Sequence, residues 1–184
     1  MRPILIAALA LTPLPATADD ITDALNAAIS AYEAGDVGDA LGEIAYVTQL
    51  LNALQAEGFT AFLPPALDGW TRTESDDISA TLGFMGGGTA AEATYSGPGS
   101  SFTITMMADN PMVASMAAIL GNPAIMGTMG RIERIGGEMF LDADGSLATL
   151  IGGRILIQAE GGDVTEMAAH LEQIDFNALV SFGQ

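Results

Sequence analysis

From Arg131 onward the chain reads as short β-prone runs separated by turn pairs. Arg131 to Ile135 ends at Gly136-Gly137, Glu138 to Asp142 runs into Asp144-Gly145, Leu147 to Ile151 meets Gly152-Gly153, and Arg154 to Ala159 follows. Turns this short leave no room for a crossover helix, so consecutive strands must be antiparallel neighbours. Two earlier runs, Ala90 to Tyr95 and Phe102 to Ala108, flank Gly97-Pro98-Gly99 and predict another hairpin. Trp70-Thr71-Arg72-Thr73 opens this strand-rich part, with Trp70 as its packing anchor. Antiparallel strands with grouped helices define an α+β class, read here as one curved sheet with helices on one face.

The remaining segments are helical. Ile21, Ala24, Leu25, Ala28 and Tyr32 repeat at helical spacing, and so do Leu41, Ile44, Ala45, Thr48 and Leu51. Gly35-Asp36 stops one helix and caps the next, predicting an antiparallel hairpin that Gly58 ends. Asn110-Pro111 and Asn122-Pro123 each place a capping side chain before a proline suited to a first helical turn. The first opens a short apolar helix, Met112 to Leu120, and the second follows a turn at Gly121 and opens the segment Ala124 to Gly130. Asp163 caps a helix that turns Val164, Met167, Ala168 and Leu171 inward, and Asp175 to Phe182 reads as a further short helix or a tail packed back on the domain. The domain reading is a leader over 1–18, a helical hairpin over 19–58, a Pro64-Pro65 linker over 59–68 and an α+β domain over 69–184.

The leader reading rests on Arg2, the apolar run Ile4 to Leu11 and the small-x-small site Ala16-Thr17-Ala18. It predicts cleavage near Ala18 and a periplasmic or secreted protein. Without Arg2 the formal charge of −18 grows by one more negative, with no lysine and only four arginines, Arg72, Arg131, Arg134 and Arg154. That field repels nucleic acid and anionic headgroups, and it favours cationic partners. The three arginines on the predicted strands are expected to pair with surface acids.

Between Ser101 and Gly130 the only charge is Asp109, and six methionines fall in this tract. Methionine fills cores and adaptable binding faces alike. The expected function is therefore a non-catalytic binding or accessory role. An apolar ligand or a protein partner would be captured through Met106, Met112, Met116, Ile119, Met126 and Met129, with no cofactor. An alternative is Cu(I) handling by the thioethers of Met112, Met116, Met126 and Met129, soft ligands suited to that ion. A further alternative is a carboxylate-based hydrolase.

Other chemistries lack their residues. There is no Cys or Lys, so thiol and Schiff-base routes are closed. Asp142-Ala143-Asp144-Gly145 fails as a calcium loop, because Phe140 and Ile151 stand where carboxylates are required. Gly86-Gly87-Gly88 lacks the lysine of a phosphate-binding loop and reads as a flexible connection. His170, the only histidine, lies off the apolar stripe of its helix and is expected to be exposed beside Glu166.

The run Ala31-Tyr32-Glu33-Ala34-Gly35-Asp36, followed by Ala40-Leu41, resembles the turn between the helices of a tetratricopeptide-type repeat. No second copy follows. The resemblance implies a single hairpin docked on the following domain or on another subunit, and so a possible homo-oligomer. The order of hairpin, Pro-Pro, Gly-Trp and meander resembles small exported bacterial proteins of uncharacterised function, and brings no activity with it.

Overall fold

The computed structural model describes residues 17–75, 78 and 88–183. The leader reading over 1–18 and the Gly86-Gly87-Gly88 loop fall almost entirely outside the described residues. The chain forms two compact units, residues 1–53 and 54–184.

Helices α1 (Thr17–Glu33) and α2 (Val37–Thr60) make the first unit, α2 continuing past the boundary into the second. Gly35 takes a positive φ of 82°, and the Asp36 Oδ1 accepts from the Asp39 N–H at 3.1 Å, the expected stop and cap. The expected stop at Gly58 is not used, because α2 runs on to Thr60 and delivers Phe59 to the core of the second unit.

The second unit is built on a seven-stranded, wholly antiparallel sheet. Its strands are β1 (Thr71–Glu74), β2 (Thr89–Gly97), β3 (Ser100–Ala108), β4 (Arg131–Ile135), β5 (Glu138–Ala143), β6 (Ser146–Ile151) and β7 (Ile155–Glu160). They lie in the order β1-β2-β3-β7-β6-β5-β4. Two meanders thus meet where β3 pairs β7, with Met106 opposite Ile157. The connection from β3 to the far edge at β4 consists of α3 (Pro111–Leu120) and α4 (Pro123–Met129), bent by 89° to each other. The first starts as Asn110-Pro111 predicts, with Asn110 accepting from the Met112 N–H; the segment after Asn122-Pro123 is also helical, with Asn122 accepting from the Ala124 N–H. Helices α5 (Val164–Leu171) and α6 (Phe176–Val180) close the chain. The α+β class is as the sequence predicts.

Alternation along the central strands sends side chains to two separate cores. One face gathers Ile104, Met106, Ile155 and Ile157 under Phe59, Leu63, Met167 and Leu179. The other gathers Met107, Leu141, Ala148 and Leu156 under Val113, Leu120 and Met126. Helices therefore cover both faces, where one was expected. The central strands are apolar on both sides, and a sheet of that kind must be covered twice.

The Pro64-Pro65 stretch is not a linker. Phe59 and Leu63 are buried, and Arg72 donates to the carbonyls of Leu63 at 2.9 Å and Pro64 at 3.3 Å. The Tyr95 hydroxyl also donates to the Pro64 carbonyl, at 2.6 Å. Chain without regular structure stays buried here because side chains satisfy its carbonyls. Burial pushes the Tyr95 phenol above its ordinary range, so it holds its proton and remains a donor.

Candidate functional site

The six residues singled out in the uncharged tract do not converge. Met106 is fully buried on the face that packs α5 and α6, while its neighbour Met107 points to the opposite face. Grouping Met106 with the later methionines fails because adjacent strand residues point opposite ways. Met126 is fully buried, and Met116 and Ile119 are half-buried beside it under α3 and α4. Met112, 39% exposed, and Met129, 53% exposed, reach solvent, as do Ile125, Ile132 on the edge strand β4 and Met139 on its neighbour β5. The tract is thus a core layer carrying scattered outward side chains. No group of three or more His, Cys, Asp or Glu residues able to hold a metal ion occurs among the described residues. No described helix is long and apolar enough to cross a membrane, although α3 and α4 together match a span in length and composition.

His170 overturns the expected exposed Glu-His pair. Its ring is fully buried, 5.0 Å from each of Trp70, Tyr95 and Phe102, centroid to centroid. Nε2 accepts from the Leu67 N–H at 3.3 Å, which leaves Nδ1 as the protonated nitrogen, donating to the Glu166 carbonyl at 2.8 Å. The Glu166 carboxylate instead accepts from the Ser100 hydroxyl at 2.7 Å. A cleft of about 640 Å³ opens beside this histidine, between Leu67, Asp68, Trp70 and Glu166. With both ring nitrogens bonded to backbone groups, His170 ties α5 to the segment before β1 and has no lone pair left for a substrate.

Arg131 and Arg154 pair with acids as expected, whereas Arg134 donates to the Gly137 carbonyl at 3.2 Å. Arg131 meets Glu133 and, at 3.9 Å, Asp142. Arg154 donates to both carboxylate oxygens of Asp109, at 3.2 and 2.7 Å, and to the Phe182 carbonyl at 2.6 Å. The hydrogen bond from Arg154 holds the Asp109 carboxyl below the usual carboxylate range, and the same bond raises the guanidinium. Asp109 also adopts a left-handed φ of 56°, which aims its carboxylate before the chain enters α3.

The first unit carries an exposed apolar surface. Its buried side chains are small, Ala24, Ala28 and Ala40 with Val47, spaced four residues apart on α1 and seven on α2. The large ones of the same stripes stand in solvent, Tyr32 at 71% and Leu41 at 65% exposure, with Leu25, Ile29, Val37 and Ile44 beside them. Together they line a groove of about 570 Å³ along the helix pair, whose only charged lining residue is Glu33. The reverse side of the hairpin is acidic, where Asp20, Asp23 and Glu43 surround Tyr46 in a shallow depression. The stripes that predicted the hairpin contain Leu25, Tyr32, Leu41 and Ile44 of this groove but not Ile29 or Val37, and periodicity does not separate residues that seal the seam from those left outside.

No known protein family, curated protein or solved structure matches the chain. The site is accordingly argued from its own geometry.

Proposed function

We propose that the protein is a non-catalytic accessory protein of the periplasm or cell exterior, which captures a partner in the groove of its helical hairpin. One observation carries this reading. Alanines fill the seam between α1 and α2, while Leu25, Ile29, Tyr32, Val37, Leu41 and Ile44 line an open apolar groove. Side chains of that size normally contribute about 1.5–3 kcal/mol each when withdrawn from water. A surface that forgoes so much burial is the mark of an interaction site. The amino-terminal leader motif supports the location, and the scarcity of nucleophile and base constellations supports binding over turnover.

Nile red, a neutral dye that brightens in apolar clefts, tests the reading. Wild-type protein should enhance its emission, and Leu41→Gln with Ile44→Gln should remove most of the signal while the circular dichroism is kept. A second reading places capture on the outer side of α3 and α4, favoured by the exposure of Met112, Ile125 and Met129. Signal that survives the hairpin variant but disappears with Met112→Gln and Met129→Gln would move the site there.

A further inference from the structure

We infer that the occupant of the hairpin groove is a cationic amphipathic helix of another protein. The inference rests on the groove being the capture site and adds the chemistry of what fills it. The groove runs along about two and a half turns of each helix, from Leu25 to Glu33 and from Val37 to Ile44. That is a length of ~13 Å at 1.5 Å per residue, which suits apolar anchors at i, i+3, i+4 and i+7 of a docked helix.

Charge selects among the candidate occupants. From Asp19 to Thr71 the chain has no lysine or arginine, while Asp19, Asp20, Asp23, Glu33, Asp36, Asp39, Glu43 and Glu57 lie on the hairpin. Glu33 lines the groove itself and Asp36 stands in the turn beside Val37. The acids of the reverse side lie about one helix diameter away, roughly 10–12 Å, close to the Debye length in ~0.1 M salt. Their field at the groove is reduced but has one sign throughout. A helix with leucine-like anchors and a Lys- or Arg-rich outer face would bury its apolar side and be drawn in by that field.

The same arithmetic weighs against a second copy of this chain, because two hairpins would bring eight carboxylates against eight with no cation on either. The groove residues also fall well short of the ~20–30 residues a side typical of stable interfaces. Anionic lipid surfaces are repelled for the same reason.

A peptide of about 18 residues with leucines on one helical face and lysines elsewhere is the direct probe. Its controls are a Leu/Glu version and a Leu/Lys version permuted so that leucines fall all round the helix. Binding to the full chain is read by fluorescence anisotropy at low and at ~0.3 M salt, and oligomeric state by sedimentation velocity. The amphipathic Leu/Lys peptide should bind about tenfold or more tightly than either control, and weaken several-fold as salt rises. Leu41→Gln with Ile44→Gln should lose that tenfold, and Glu33→Gln with Asp36→Asn should lose part of it.

Equal affinity for the permuted peptide would reduce the effect to charge alone and overturn the inference, as would equal affinity for the Leu/Glu peptide. A concentration-dependent dimer abolished by Leu41→Gln with Ile44→Gln would assign the groove to a second copy instead. Nile red enhancement without peptide selection would keep the groove as a capture site and remove only the cationic helix. Failure of both would remove both.

Discussion

The hairpin and the sheet unit use the same kinds of side chain in opposite ways. In the sheet unit the large residues are inside: Tyr95, Phe102, Phe140, Ile104 and Ile157 are all but inaccessible. In the hairpin the alanines are inside, and Tyr32, Leu41 and Ile29 are out. Each alanine withdraws one methyl group, on the order of 0.8 kcal/mol, against a backbone ordering cost of about 1–2 kcal/mol per residue. The seam alone therefore stabilises the hairpin weakly. What the difference teaches is a division of labour: one unit spends its hydrophobic groups on its own stability, and the other keeps them available.

Phe102→Ala should break the sheet unit. It removes a ring stacked on Tyr95 at 5.1 Å and packed against Trp70 and His170, and the loss should be about 3–5 kcal/mol in urea unfolding. Native-state hydrogen exchange sharpens the comparison. Amides of α1 and of α2 up to Val47 should open at free energies several kcal/mol below those of β3 and β7, about 3 kcal/mol or more. Equal protection in both regions would contradict the weak seam.

Gly97→Ala should cost about 1–3 kcal/mol, since its methyl would come within 2.4 Å of the Trp70 indole. The chain has a single tryptophan, so its fluorescence reports that displacement directly.

Asp109→Asn should cost up to about 1 kcal/mol at neutral pH, discounted because the carboxylate is half-exposed. The Asp109 pKa is lowered on folding, so its contribution is present above the unfolded value near ~3.9 and is lost as pH falls through the folded one. The stability gap between wild type and Asp109→Asn should therefore persist at neutral pH and narrow as pH falls below the unfolded value of the carboxyl. Asparagine tolerates the left-handed backbone at this position, so the substitution isolates the charge. Smallest of all, Leu41→Ala should change stability by no more than about 0.5 kcal/mol, against a large loss of groove binding.

Much of this architecture was legible in the residues. Asp144-Gly145 joins β5 to β6 with both residues at positive φ, 52° and 80°, the backbone that a two-residue hairpin turn requires. The Asn-Pro starts were legible because capping and proline preference act within a few residues of chain. Features that depend on a distant partner were hidden. His170 looked exposed on a helical wheel of α5 alone, and Trp70, Tyr95 and Phe102, which enclose it, come from far along the chain. Pro64-Pro65 looked like a linker because nothing local announces that Tyr95 and Arg72 take its carbonyls. Met106 shares an uncharged tract with Met126 in the sequence, although the two belong to different cores.

Arg154 has a mechanical consequence. Its guanidinium grips the carboxylate just ahead of α3 on one side of the sheet. It also grips the carbonyl of Phe182, whose ring packs tilted against Phe59 and edge-on to Phe62 on the other side. A single side chain thus works as a buckle around the rim of the sheet. Force applied to the methionine-bearing layer is passed to the aromatic tail, so the two coverings should loosen together instead of peeling away in turn.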